Sequence, residues 1–180
     1  MNKKEIFKRK LFAVICFLIN FNLLAVPFYS LLFLDFSLPQ VQTFLATAIA
    51  KALQMFGYQV ASKDYALTLL TINEIARVNI TVDCLGWKSM YVLSALVLAV
   101  TYPLRKKIKF LLIALPAIFL INYLRIVSTL LFVLAYGFRY LDFVHGILWQ
   151  EGLVAVVVLA WYLWLRQIKY NITQTKLFFR

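Results

Sequence analysis

Long apolar runs alternate with short basic segments along this 180-residue chain. Four of the runs carry few charged side chains and are close to the roughly 20 residues that cross a bilayer as a helix. They cover residues 11–34, 85–102, 110–137 and 147–165. This pattern predicts an all-α membrane protein, a bundle of about four transmembrane helices. We expect a single integral-membrane domain over residues 1–180.

The segment between the first two runs, residues 36–83, has a different pattern. Residues 39–60 place apolar side chains at helical spacing but interrupt them with glutamine and lysine, which predicts an amphipathic helix. The pattern leaves open whether this helix lies on the membrane surface or re-enters the bilayer. Residues 64–82 alternate loosely and are rich in Thr, Ile and Val, so we expect a short hairpin or extended segment there.

Basic residues cluster at the head of the chain, over residues 103–109 and in the tail after residue 165. These three segments hold 13 of the 19 Lys and Arg residues, but only Glu5 among the seven acidic residues. With the N-terminus inside, all three lie on one side of the membrane and account for the net charge of +12. The positive-inside rule assigns that side to the cytoplasm. We therefore expect both termini in the cytoplasm and residues 36–83 outside.

The placement of the charges also argues against a nucleic-acid-binding protein, despite a pI of about 9.9. The basic segments are short, and membrane topology together with attraction to anionic membrane lipid explains them. Two cysteines and one histidine are too few for a disulfide framework or a thiolate or histidine metal site. We expect neither a metal nor another cofactor.

Three reactive side chains fall near the outer ends of the predicted helices: Cys84, Arg125 and His145. Arg125 lies 15 residues beyond Phe110, roughly 22 Å along a helix. A charge within an apolar span costs roughly 2.5–3.5 kcal/mol, and such residues usually line functional cavities. All three side chains also have a purely structural interpretation. Cys84 can be a small apolar filler, Arg125 a cation that extends to the membrane interface, and His145 an interfacial imidazole.

Together these side chains have the parts that acyl transfer needs. Cysteine reacts as the thiolate, which a neighbouring cation stabilises, and histidine serves as base and then acid. Arginine can stabilise the tetrahedral oxyanion. We expect supporting roles for Asn122, which can hold the guanidinium from one turn away, for Asp142, which can fix the imidazole tautomer, and for Lys88, which can favour the thiolate. Each of these also fits an ordinary solvated polar residue.

Three short segments resemble the exosortase/archaeosortase family, in order and in placement at outer membrane edges. They are Asp83-Cys84-Leu85-Gly86-Trp87, Asn122-Tyr123-Leu124-Arg125 and Phe143-Val144-His145-Gly146. The resemblance covers roughly residues 64–165. Members are integral-membrane, cysteine transpeptidase-like enzymes, analogous to sortases in role but unrelated in fold. The resemblance implies that Cys84 corresponds to the nucleophile, Arg125 to the family arginine and His145 to the third residue.

The function implied is that of a cysteine protease or transpeptidase that cleaves the C-terminal sorting signal of exported proteins and transfers them to an acceptor. Its substrates would carry a C-terminal transmembrane helix and a basic tail. The site would lie on the outer face of the cell membrane. The alternative is a non-enzymatic membrane module, such as a small-molecule-binding transporter subunit, which would place no demand on Cys84. Convergence of the three side chains distinguishes the two.

Overall fold

The computed structural model describes residues 3–34, 37–70, 75–137 and 152–178. Helices dominate this part of the chain, and a small antiparallel sheet follows the second helix. In chain order the elements are α1 (Lys3–Phe33), α2 (Pro39–Met55), β1 (Gln59–Lys63), β2 (Ala66–Leu70), β3 (Ile75–Asn79), a 3-10 turn (Val82–Leu85), α3 (Trp87–Ala99), α4 (Leu104–Tyr136) and α5 (Gly152–Phe178).

Within the described residues, three helices contain a stretch long and apolar enough to cross a membrane. These stretches are Leu11–Phe33 in α1, Leu104–Tyr136, which is the whole of α4, and Gly152–Lys169 in α5. Helix α3 is apolar but has 13 residues, fewer than the roughly 17–25 that span a bilayer. The fold is therefore the expected helical membrane protein, while the count of four membrane-spanning helices is not confirmed.

Helix α2 is amphipathic, as residues 39–60 predict, but it ends at Met55. Its buried side chains recur every three or four residues and pack on the sheet: Gln42, Leu45, Ala46, Ile49, Ala50 and Leu53. Gly57, with φ of +87°, turns the chain after the helix, a conformation that glycine adopts without steric cost. The last residues of the predicted helix, from Gln59 on, instead form a strand.

The sheet is a meander with the strand order β1-β2-β3. Val60 is opposite Leu69 in the first pair, and Leu67 is opposite Val78 in the second. The expected hairpin is thus a three-stranded sheet in the described residues. Helix α2 and the three strands together are called the cap below.

Two apolar cores hold the described part of the chain together. One joins the cap to the 3-10 turn and to the second half of α4, where Ile126, Val127 and Leu130 are buried. The other lies among α3, α4 and α5 and is centred on Leu93, Val97 and Ile118. Helix α1 packs on α3.

The boundaries differ from the predicted ones mainly at the basic segment after α3. Helix α4 begins at Leu104, so the four basic residues at 105–109 form its first turns rather than a loop. Lys107 among them is 8% exposed, and its Nζ donates a hydrogen bond of 2.8 Å to the carbonyl oxygen of Leu98. It thereby satisfies one of the last carbonyls of α3, which have no donor within their own helix.

Candidate active site

Cys84 lies in the 3-10 turn that connects the sheet to α3. Its backbone N–H donates to the carbonyl oxygen of Thr81 at 3.0 Å. The Thr81 hydroxyl oxygen lies 3.4 Å from the Cys84 sulfur, close enough for a hydrogen bond in either direction. The cysteine is 8% exposed and belongs to the core between the cap and α4. The thiol is therefore held by a short, hydrogen-bonded turn at the base of the cap.

Gly86 brings this turn against α4. Its φ is +72°, in the left-handed region, where the turn ends and α3 begins. A Cβ at this position would lie 3.0 Å from Cγ of Asn122 and 3.1 Å from its Nδ2. The left-handed backbone conformation favours glycine, and a side chain here would also press on Asn122.

Asn122 ties Cys84 to α4 with a direct hydrogen bond. Its Nδ2 donates to the carbonyl oxygen of Cys84 at 2.7 Å, and the side chain is fully buried. Its Oδ1 has no hydrogen-bond partner within the described residues. We expected Asn122 to hold the guanidinium of Arg125, whereas its observed bond is to the cysteine backbone.

Arg125 follows Asn122 by three residues, so both lie on neighbouring positions of one face of α4. It is partly buried. Its carbonyl oxygen accepts hydrogen bonds from the hydroxyls of Ser128 at 2.9 Å and Thr129 at 2.8 Å. The bond from Asn122 to the carbonyl oxygen of Cys84 therefore joins the cysteine turn to the helix face that carries Arg125.

Lys88, for which we expect a role in favouring the thiolate, makes an ion pair beside the cysteine. Its Nζ forms an ion pair of 2.8 Å with Asp83, and both side chains are about half exposed. The charge of Lys88 is thus shared with a carboxylate. Exposed pairs of this kind contribute about 0–1 kcal/mol.

A cavity of about 270 Å³ lies beside the cysteine turn, between this turn and the end of α1. Thr81, which touches the thiol, lines the cavity together with Leu31, Leu32 and Trp87. Its walls combine apolar side chains with the polar edge of the turn. Asp83, the residue before Cys84, also lines the cavity.

His145 and Asp142 lie outside the described residues. Cys16 is the other free cysteine and lies midway along α1. Sequence reasoning missed Gly86 and Thr81 as parts of the site. The Cys-Leu-Gly order was a signal for the glycine, because a glycine just before a helix often marks a left-handed turn.

Comparison with known proteins identifies the family of the chain. The family model described as "Transmembrane exosortase" matches residues 6–165. No curated protein and no solved structure matches the chain. The family match covers the apolar stretches of α1 and α4, most of the stretch of α5, and the segments that carry Cys84 and Arg125. The chain is a multi-pass membrane protein that belongs to the transmembrane exosortase family.

Proposed function

We propose that the protein is a membrane-embedded cysteine protease and transpeptidase. It cleaves the C-terminal sorting signal of exported proteins and transfers the upstream part to an acceptor. The observation that carries this proposal is the 2.7 Å hydrogen bond from Asn122 to the carbonyl oxygen of Cys84. It ties the cysteine turn to the face of α4 on which Arg125 follows one turn later. Family membership supports a protein substrate with a sorting signal.

The reaction begins with attack by the Cys84 thiolate on the carbonyl carbon of the scissile amide. A carbon–sulfur bond forms and the carbonyl electron pair moves to oxygen, giving a tetrahedral oxyanion. When the intermediate collapses, the carbon–nitrogen bond breaks, the leaving amine takes a proton, and the acyl group remains as a thioester. An acceptor amine, hydroxyl or water then adds to the thioester and loses its proton, and the carbon–sulfur bond breaks to release the thiolate.

Arg125 supplies positive charge where negative charge develops. Partial burial strengthens this effect, because charge–charge interactions are larger in a low dielectric than in water. We assign the proton transfers to His145, which would give a proton to the leaving amine and accept one from the acceptor. Asn122 and Gly86 act as positioning residues, since they fix the backbone on either side of the nucleophile.

The substrate enters the membrane as a helix with an extended segment at its outer end. The cavity beside Thr81 suits the extended segment because polar and apolar walls meet there. Substrates are exported proteins with a C-terminal helix and a basic tail. The site faces the outer side of the cell membrane, and both termini are cytoplasmic, in accord with the charge asymmetry.

The decisive test is replacement of the cysteine. Cys84→Ala should abolish processing while the protein still folds, because alanine keeps a small apolar volume but has no nucleophile. The measurement is the size on a gel of a co-expressed protein carrying a C-terminal helix and a basic tail. Cys16→Ala is the matched control and should process normally. Normal processing by the Cys84→Ala protein would end the thiol-enzyme proposal and favour a non-enzymatic membrane module.

The arginine gives a second test. Arg125→Lys should lower the processing rate on the order of a hundredfold, because a point charge does not reproduce the donor fork of a guanidinium. Arg77→Lys, at an exposed position of β3, is the matched control and should have little effect. Equal rates for the two variants would show that the guanidinium has no part in the chemistry.

A further inference from the structure

A second cavity lies at the opposite end of α4 from the cysteine. It has a volume of about 260 Å³ and opens between the start of α4 and the second half of α5. Lys106 on its wall precedes Arg125 by 19 residues, about 28 Å along the helix. The cavity therefore does not share space with the candidate active site.

Aromatic rings form the back of this cavity. Phe110 stacks on Trp164 with 5.3 Å between ring centroids, and Tyr102 meets Trp164 edge-on at 6.0 Å. The Nζ of Lys106 lies 5.5 Å from the centre of the Tyr102 ring, within range of a cation–π interaction. Lys106 is exposed, and its ammonium lies beside the Tyr102 ring on the wall of the cavity.

The cavity changes from basic to apolar along a single face of α4. Lys106, Lys109, Phe110 and Ile113 all line it, at the spacing of one helix stripe. From Lys106 to Ile113 the helix rises about 10 Å. Ile113 is 74% exposed at the apolar end, where the helix surface faces lipid. The occupant must therefore have an anionic head and an apolar chain.

We propose that this cavity binds an anionic phospholipid, with the phosphate between Lys106 and Lys109 and an acyl chain along Phe110 and Ile113. None of the lining residues is acidic, so two lysines act on the headgroup without a competing carboxylate. Gln167 of α5 lines the cavity and supplies an amide donor for a phosphate or glycerol oxygen. Basic cavities between membrane helices commonly bind such headgroups. A basic sorting tail would be repelled here.

The test compares lipid retention by the purified full chain in native mass spectrometry. Phosphatidylglycerol should be retained in preference to phosphatidylcholine. A double variant, Lys106→Gln with Lys109→Gln, should weaken phosphatidylglycerol binding roughly tenfold or more, since each lysine near an anionic headgroup contributes a factor of about five. The charge-matched control is Arg105→Gln with Arg166→Gln, because neither arginine lines the cavity. An equal loss of phosphatidylglycerol binding in both double variants would overturn the proposed site and indicate diffuse attraction of the lipid to basic residues.

A second variant keeps the charges and fills the space. Ile113→Trp should also weaken retention, because it blocks the apolar end while both lysines remain, and its exposed position tolerates a large side chain. Unchanged retention would contradict the proposed acyl-chain path. Competition with inorganic phosphate or glycerol 3-phosphate distinguishes a lipid headgroup from a soluble phosphate ligand. Displacement of the lipid by either at low millimolar concentration would assign the cavity to a soluble phosphate ligand and overturn the lipid proposal.

Discussion

At the residue scale, Gly86 makes the contact between the cysteine turn and α4 possible. Gly86→Ala should destabilise the protein twice over, through the left-handed φ, which costs about 1–2 kcal/mol, and through the clash of the new Cβ with Asn122. Gly57→Ala is the matched control, because Gly57 also has positive φ but a Cβ added there would meet nothing within 4 Å. Thermal unfolding in detergent should show the larger loss for Gly86→Ala. Equal losses would mean that the close approach to Asn122 carries no energy.

The buried hydrogen bond of Asn122 should contribute more to stability than an exposed bond of the same kind. Asn122→Ala should cost about 1–3 kcal/mol, because the buried carbonyl of Cys84 loses its donor. It should also change the rate at which Cys84 is alkylated, measured in a Cys16→Ala background. Asn22→Ala is the control, since Asn22 makes a 2.8 Å bond to its own helix on an exposed face. A loss no larger than that of Asn22→Ala would contradict the anchoring role.

Cys84 and Arg125 could be selected from the sequence because their chemistry is conspicuous in an apolar chain. The hydrogen-bond partner of Asn122 could not be predicted in the same way. A helical spacing of three residues places Asn122 beside Arg125, but it does not tell which turn packs against Asn122. Lys88 likewise lies one turn from Cys84 in sequence, yet it pairs with Asp83. Spacing within one element predicts neighbours on that element, and contacts between elements depend on their packing.

At the scale of elements, Lys107 joins two helices. Lys107→Met should cost about 1–3 kcal/mol, because it removes the buried hydrogen bond to Leu98 and the positive charge at the negative end of α3. Methionine is unbranched and one atom shorter than lysine, so packing changes little. Lys51→Met, at an exposed position of α2, should change stability by less than about 0.5 kcal/mol. The comparison is made by thermal unfolding. Similar losses of stability for both variants would refute the role of Lys107 at the end of α3.

Helix α2 shows what periodicity can and cannot predict. Its existence and amphipathic character followed from the spacing of apolar residues, but Phe44 and Phe56, which belong to that apolar pattern, are 66% and 65% exposed. Gln42, which interrupts the pattern, is buried, because its amide bonds to the backbone of Leu38 and Ile80. A hydropathy pattern treats such a glutamine as solvent-facing. Its hydrogen bonds to the backbone allow Gln42 to be buried instead.

At the scale of the whole molecule, the charge asymmetry predicts which side each turn faces. In a chain lacking both native cysteines, Lys63→Cys on the cap should react with a membrane-impermeant maleimide in intact cells. Thr101→Cys, in the turn before α4, should react only after the cells are permeabilised. Both positions are exposed, so access differs only by the membrane. Labelling of Thr101→Cys in intact cells would invert the proposed topology.

The short length of α3 has a consequence for the lipid around the protein. Its 13 residues rise about 20 Å, against a hydrocarbon core of about 30 Å. On the proposed topology, with the basic start of α4 at one boundary, the outer end of α3 falls about 10 Å short of the other boundary. This is hydrophobic mismatch, which bilayers relieve by local thinning. On the proposed function, bilayer thickness would then set how far the outer end of a substrate helix must descend to reach the thiol.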